Sequence, residues 1–285
     1  AGTTGNVINL DTSCAGLKYA YTTAGNVQVV RVPQFSTLTV GAAGSITAPA
    51  WDGLRGGVVA VHAQTTVTLN GPIDVSGKGF RGGAVEDQSQ APSSNVTLFR
   101  STDALDGAEK GESIAGFQAG YANGRYGRGA PANAGGGGNS HNAGGGGGAN
   151  AKNVPAAAWT GQGVMSAAVV GGTAWLLDPA YIANGNALTA SAGGGRGGYT
   201  YSADNQNALV LGPGNATWGG NSRRQVGGLG GRPLDVDPAG RIFFGGGGGA
   251  GDGNNGGAGA GGRGGGIAII LAPTINGTAA IRANG

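Results

Sequence analysis

Between Gly245 and Gly266, 15 of 22 residues are glycine. Such a stretch has no side chains with which to build a core, yet every residue still carries an N–H and a C=O that need partners. An α-helix is disfavoured, because each glycine costs about 1 kcal/mol against alanine there. Glycine runs usually serve as flexible linkers. The ordered alternative is the polyglycine-II helix, with about three residues per turn, a rise of about 3.1 Å and no internal hydrogen bonds. With no Cβ in the way, several such helices can lie side by side and bond laterally, with Cα–H···O contacts added. The fields at 135–148, 193–198 and 245–266 are expected to form such helices, packed on one another or on strands.

Composition supports an unconventional interior. Glycine accounts for 66 of 285 residues, and valine, isoleucine, leucine and phenylalanine together for only 52. That lies below the roughly 20% at which ordinary cores become hard to build. A net charge of +3 does not fit charge-driven disorder. Two histidines, one cysteine and 14 scattered carboxylates leave little material for a metal cage or an acid–base pair. The expectation is therefore a non-enzyme with no catalytic, cofactor or metal site. Cys14 has no second cysteine to pair with in the chain. No apolar run reaches the roughly 18–20 residues of a membrane span. The Ala1-Gly2-Thr3 start and the lone Met165 suggest a processed chain, a start that removal of a secretory signal or recombinant expression would each produce, and an extracellular or cell-surface location is expected.

Away from the glycine fields the pattern is that of short strands. Val27 to Val32, Thr37 to Val40 and Ser45 to Ala48 are followed by a second series: Val58 to Ala63, Thr66 to Leu69 and Ile73 to Gly77. Thr37 and Thr66 begin matching Thr-x-Thr segments 29 residues apart, a period typical of stacked coils. The C-terminus repeats the unit as Ile267 to Ala272, Thr274 to Gly277 and Ala280 to Gly285. There Ile275-Asn276-Gly277 echoes Leu69-Asn70-Gly71, and Ile281 to Gly285 echoes Val75 to Gly79, with the last copy about two residues shorter. Weaker strand signals lie at 164–170, 174–177, 208–211 and 241–244. Residues 101–116 allow a turn or two of helix at most, because Gly107 and Gly111 interrupt them. The fold expected is all-β: short-stranded β-solenoid or sandwich-like coils combined with packed polyglycine-II helices, and little or no α-helix. Residues 1–80 hold the N-terminal strand repeats. Residues 81–285 hold the glycine-rich region with a C-terminal β coil at 267–285, in one continuous fold.

Several motifs invite a chemical reading that their context weakens. Arg-Gly-Gly occurs at Arg55, Arg81, Arg196 and Arg263, as in RNA-binding segments. The four are scattered in a chain of small net charge, so arginines that end coils or cap glycine carbonyls fit better, and no nucleic-acid partner is expected. Gly71 to Gly79 misses the phosphate-loop spacing and its Ser or Thr. Gly248-Gly249-Ala250-Gly251-Asp252 approaches a calcium nonapeptide without its series, and Asp235 with Asp237 adds only a thin oxygen pair. His62 and His141 stand apart from any serine or ligand spacing. Asn95, Asn215 and Asn276 begin glycosylation acceptor patterns. Trp51, Trp159, Trp175 and Trp218 are candidate ligand contacts, since rim aromatics stack on sugars or anchor partners. Packing of these rings over bare glycine backbone is the favoured alternative.

The unit formed by Ile267 to Ala272, Ile275-Asn276-Gly277 and Ile281 to Gly285 resembles the glycine-rich repeats of secreted bacterial surface proteins, frequent in myxobacteria. The glycine fields are similar in composition to the polyglycine-II sandwich of phage tail-fibre tip adhesins. The first resemblance covers residues 55–80 and 263–285, and neither family supplies a catalytic residue. The leading functional expectation is an extracellular structural protein, a subunit of a self-assembling filament or surface matrix. An adhesin for a cell-surface glycan or receptor is the alternative, and an ice-binding protein, wanting a longer Thr-x-Thr ladder, is third. Assembly is expected head to tail between copies of this chain. The apolar segment Val7, Ile8 and Leu10 would meet the last coil of the next copy, with Ile267, Ile269, Leu271, Ile275 and Ile281 on that coil.

Overall fold

A computed structural model describes residues 2–4, 7–9, 21, 27–87, 100–116, 121, 124–138, 143–150, 230–232, 234, 242–253 and 256–285. The strand signals at 164–170, 174–177 and 208–211, the glycine field at 193–198 and Cys14 lie outside these residues. Strands are β1 (Gly2–Thr4), β2 (Val7–Asn9), β3 (Gln34–Val40), β4 (Val58–Leu69), β5 (Ile73–Asp74), β6 (Ile267–Leu271), β7 (Thr274–Gly277) and β8 (Ile281–Arg282). A 3-10 helix, Ala104–Asp106, is capped by the Asp103 side chain, which accepts from the Leu105 N–H. The described chain is thus all-β with almost no helix.

β4 is the centre of the main sheet. It pairs in parallel with β3 on one side and with β6 and then β7 on the other. β5 pairs in parallel with β8, and Ile46 bridges to Ile73 in the same sense. The three segments therefore run in one direction, stacked with β4–β5 in the middle. The 29-residue offset seen between Thr37 and Thr66 is the actual ladder register. Inward side chains from all three meet in a cluster of Val40, Val59, Val61, Ala63, Val67, Leu69, Ile73 and Val75, with Leu38, Ile46 and Ile270 packed against it. Full burial of a side chain such as Val67 or Ile73 is worth roughly 1.5–3 kcal/mol.

Several sequence readings need correction: Ser45 to Ala48 forms only the isolated bridge at Ile46, and residues 242–244 form no strand. Val27 to Val32 is not a strand: the Gln28 amide there bonds both backbone groups of Gly56, donating to its C=O at 3.0 Å and accepting from its N–H at 2.9 Å. The C-terminal echo also slips by two residues. Val67, not Leu69, lies beside Ile275, and Ile73, not Val75, lies beside Ile281. A slip of two leaves every side chain on its proper face, so the apolar pattern cannot distinguish the registers. Backbone pairing decides between them.

The glycine segment at 245–253 is the second organising element, and it is buried through Ala250. Its hydrogen bonds repeat every third residue. Gly245, Gly248 and Gly251 donate N–H to the carbonyls of Gly265, Gly262 and Gly259, at 2.8, 2.9 and 2.8 Å. Gly246, Gly249 and Asp252 donate to Ala149, Gly146 and Ala143, each at 2.8 Å. Gly247, Ala250 and Gly253 donate to Glu112, Glu109 and Glu86, each at 2.9 Å. Carbonyls of the same segment accept from Phe80 and Gly83, and from Gly135 and Gly138. The accounting problem posed by bare glycine is thus solved laterally, by surrounding segments, in three directions.

Candidate functional site

Two parts of the molecule gather side chains that could act: a buried charged cluster where the strand stack meets the glycine segments, and the outermost strands of the stack.

The charged cluster grows from residues 109–112, which lie against the central glycine segment. Glu112, with 4% side-chain exposure, takes the Arg81 guanidinium at 2.9 Å through Oε2. Its other oxygen accepts the Trp51 indole N–H at 3.1 Å. Glu109, also nearly covered, pairs with Arg125 and accepts the Ala84 N–H at 2.5 Å. Burial works against the Arg125 charge, but the Glu109 carboxylate outweighs it and raises the Arg125 pKa. Lys110 between them is wholly buried, and its Nζ donates to the Tyr126 and Gly127 carbonyls. Burial first, and the Arg100 charge second, push its ammonium well below the ordinary lysine value. The geometry is that of structural pairing: each carboxylate is occupied by arginine and other donors of the chain itself.

Trp51 therefore sits in the packed interior, 7% exposed, and not on an open rim. Its ring lies 5.4 Å from that of Phe244, which is edge-on to Phe80 at the same separation. These rings pack together where the central glycine segment begins, Phe244 preceding Gly245 and the Phe80 N–H donating to the Gly245 carbonyl. Trp159, Trp175 and Trp218 lie outside the described residues. Of the Arg-Gly-Gly arginines, Arg81 also donates to the Asp52 carbonyl at 3.1 Å and Arg263 caps the Trp51 carbonyl at 2.7 Å. Arg55 stands exposed near Asp52 at 3.6 Å, and Arg196 is outside the described residues. His62 shares a hydrogen bond with Gln34 of the neighbouring strand.

Asp252 is 2% exposed and lines a cleft of about 320 Å³ walled by small residues including Ala143, Gly144 and Gly259. Among the described residues, no three His, Cys, Asp or Glu side chains are grouped to hold a metal ion. No described helix is long and apolar enough to cross a membrane.

The outer strands differ from the interior. Leu271, Ile275 and Ile281 are 54%, 46% and 47% exposed on the last coil, while Ile267 and Ile269 are half-buried. Ile270, Ala268 and Ala272 turn inward on the core cluster. Val7 and Ile8 lie in β2, which pairs antiparallel with β1 as a hairpin, and Leu10 lies outside the described residues. Beyond β3 on one side and β6–β8 on the other, no further described strand continues the stack. The last coil was legible in sequence as an apolar edge, and β3, at the opposite side of the stack, was legible through the Thr37–Leu38–Thr39 match to Thr66–Val67–Thr68. Comparison with protein-family models, curated proteins and solved structures finds no match to this chain.

Proposed function

We propose that this chain is an extracellular structural protein, a subunit of a self-assembling filament or surface matrix, built from β-solenoid-like coils joined to a bundle of polyglycine-II helices. The observation that carries the proposal is the parallel stack that stops at both sides on strands without described partners, with Leu271, Ile275 and Ile281 exposed on one of them. Unpaired, apolar strand edges favour pairing with another chain. The three-residue repeat of lateral bonds around 245–253 supports the polyglycine-II description, since three residues per turn aims successive N–H groups in three directions. A buried network that consumes its charged groups in pairing fits a mechanical part better than a reaction centre. Negative-stain microscopy of the purified protein tests the proposal: extended filaments or sheets are expected, and a uniform field of discrete particles at every concentration would overturn it.

A further inference from the structure

The two outer strands match each other better than either matches the strand between them. Against β4, β3 keeps register only by a shift between Phe35 and Thr37, because Phe35 faces Ala63 while Thr37 faces Thr66. The last coil shows the same shift, with Leu271 facing His62 and Thr274 facing Thr66. β4 thus carries one extra residue relative to both neighbours. Transferring both registers through β4 places Gln34 level with Leu271, Thr37 with Thr274, Leu38 with Ile275, Thr39 with Asn276 and Val40 with Gly277. From Gln34 to Val40 and from Leu271 to Gly277 the count is equal, so these strands can run side by side without a bulge. Pro273, which lacks an N–H, falls level with Ser36, where the β3 ladder is already interrupted.

The side-chain columns agree with this register. Leu38, Val67 and Ile275 form one column, and Ile46, Ile73 and Ile281 another. In each, the middle residue is fully buried, and the last-coil residue is nearly half exposed. A second copy of β3 laid on β7 would continue both columns by one rung, Leu38 beside Ile275 and Ile46 beside Ile281.

Resting on the assembly proposal above, we infer that the contact between copies is a parallel, head-to-tail ladder in which β3 of one copy pairs with β6–β7 of the next, Thr37 beside Thr274. The contact continues the ladder already joining β3 to β4 and β4 to β7. It replaces the N-terminal segment at Val7 and Ile8 with β3 as the receiving edge. Because the paired surfaces differ, the contact is heterologous and does not close on itself as a two-fold dimer does.

The register makes the test selective. Within one chain Thr37 and Thr274 flank Thr66 from opposite sides, two strand spacings or about 9.6 Å apart, beyond the roughly 7 Å limit for a disulfide. Two proteins are made in a Cys14→Ser background, one with Thr37→Cys and one with Thr274→Cys. Both substituted sites are exposed, and circular dichroism checks that each protein folds. After mild oxidation the mixture is expected to yield a disulfide dimer at least about tenfold in excess of either protein alone, since adjacent strands lie within disulfide reach. A mixture of Thr37→Cys with Asn276→Cys, displaced by two residues, is expected to cross-link poorly. Filaments without the Thr37–Thr274 disulfide, or dimers of Thr37→Cys with itself, would overturn this register and leave the assembly proposal standing. Monomer mass in sedimentation and no filaments would overturn both.

Discussion

Gly247 lies so close to Arg81 that a β-carbon on the glycine would fall on the Arg81 carbonyl oxygen. Gly147, on a neighbouring segment, has nothing within 4 Å of the same position. This contrast separates glycines needed for backbone packing from glycines that merely lie at the surface. Gly247→Ala should cost at least about 2 kcal/mol, the range of overpacked interiors. Gly147→Ala should stay within about 0.5 kcal/mol of the parent, as surface substitutions do. Denaturant titration of both variants decides, and equal effects would show that the bundle is not backbone-packed.

Glu112 is held by both the Arg81 guanidinium and the Trp51 indole. Glu112→Gln keeps the volume but removes the charge facing Arg81. A loss of about 1–3 kcal/mol is expected for a hydrogen bond to a buried charged partner. Arg81→Lys should recover little, since an ammonium cannot reproduce the fork of Nε and Nη2 donors that Glu112 receives. Thermal unfolding of both variants checks this, and an unchanged melting point for Glu112→Gln would contradict it.

Lys110 supplies a pH dependence with a definite sign. Its native pKa lies well below the 10.5 of the free side chain. Below the native value both states hold the proton, and the burial cost is fully present. Between the native value and 10.5 the unfolded chain binds more protons, so stability rises with pH across that window. Lys110→Met should flatten the rise. Melting temperatures measured from neutral pH to pH 10 would show it, and parallel curves for parent and variant would refute it.

The exposed apolar residues of the last coil should matter to assembly more than to folding. Leu271→Ser and Ile275→Ser remove side chains that are about half exposed, so each should cost less than about 1 kcal/mol in monomer stability. Light scattering of concentrated protein should nevertheless fall sharply for the pair combined. Scattering equal to that of the parent would remove this edge from the assembly account.

Much of the strand stack was legible in sequence because β-branched runs and the 29-residue Thr-x-Thr spacing are local signals. The merger of Val58–Ala63 and Thr66–Leu69 into one strand was not, because Gln64 and Thr65 read as a break although they carry the extra residue of β4. The C-terminal register slipped by two for the reason given above: face parity is preserved. The glycine segment at 245–253 announced its lateral bonding through composition, but not its partners. Nothing local to Gly247 names the Glu112 backbone carbonyl, and nothing local to Trp51 names the Glu112 carboxylate. Those pairings join segments distant in sequence, where a residue pattern carries no address.

Assembly rests on open-ended, head-to-tail association of copies of this chain. Sedimentation equilibrium of the intact protein across a wide concentration series tests it most directly. A heterologous contact that does not close predicts an average mass that keeps growing with concentration and reaches no plateau. A mass that stays at the 27.3 kDa of one chain, or that levels off at twice that value, would contradict it.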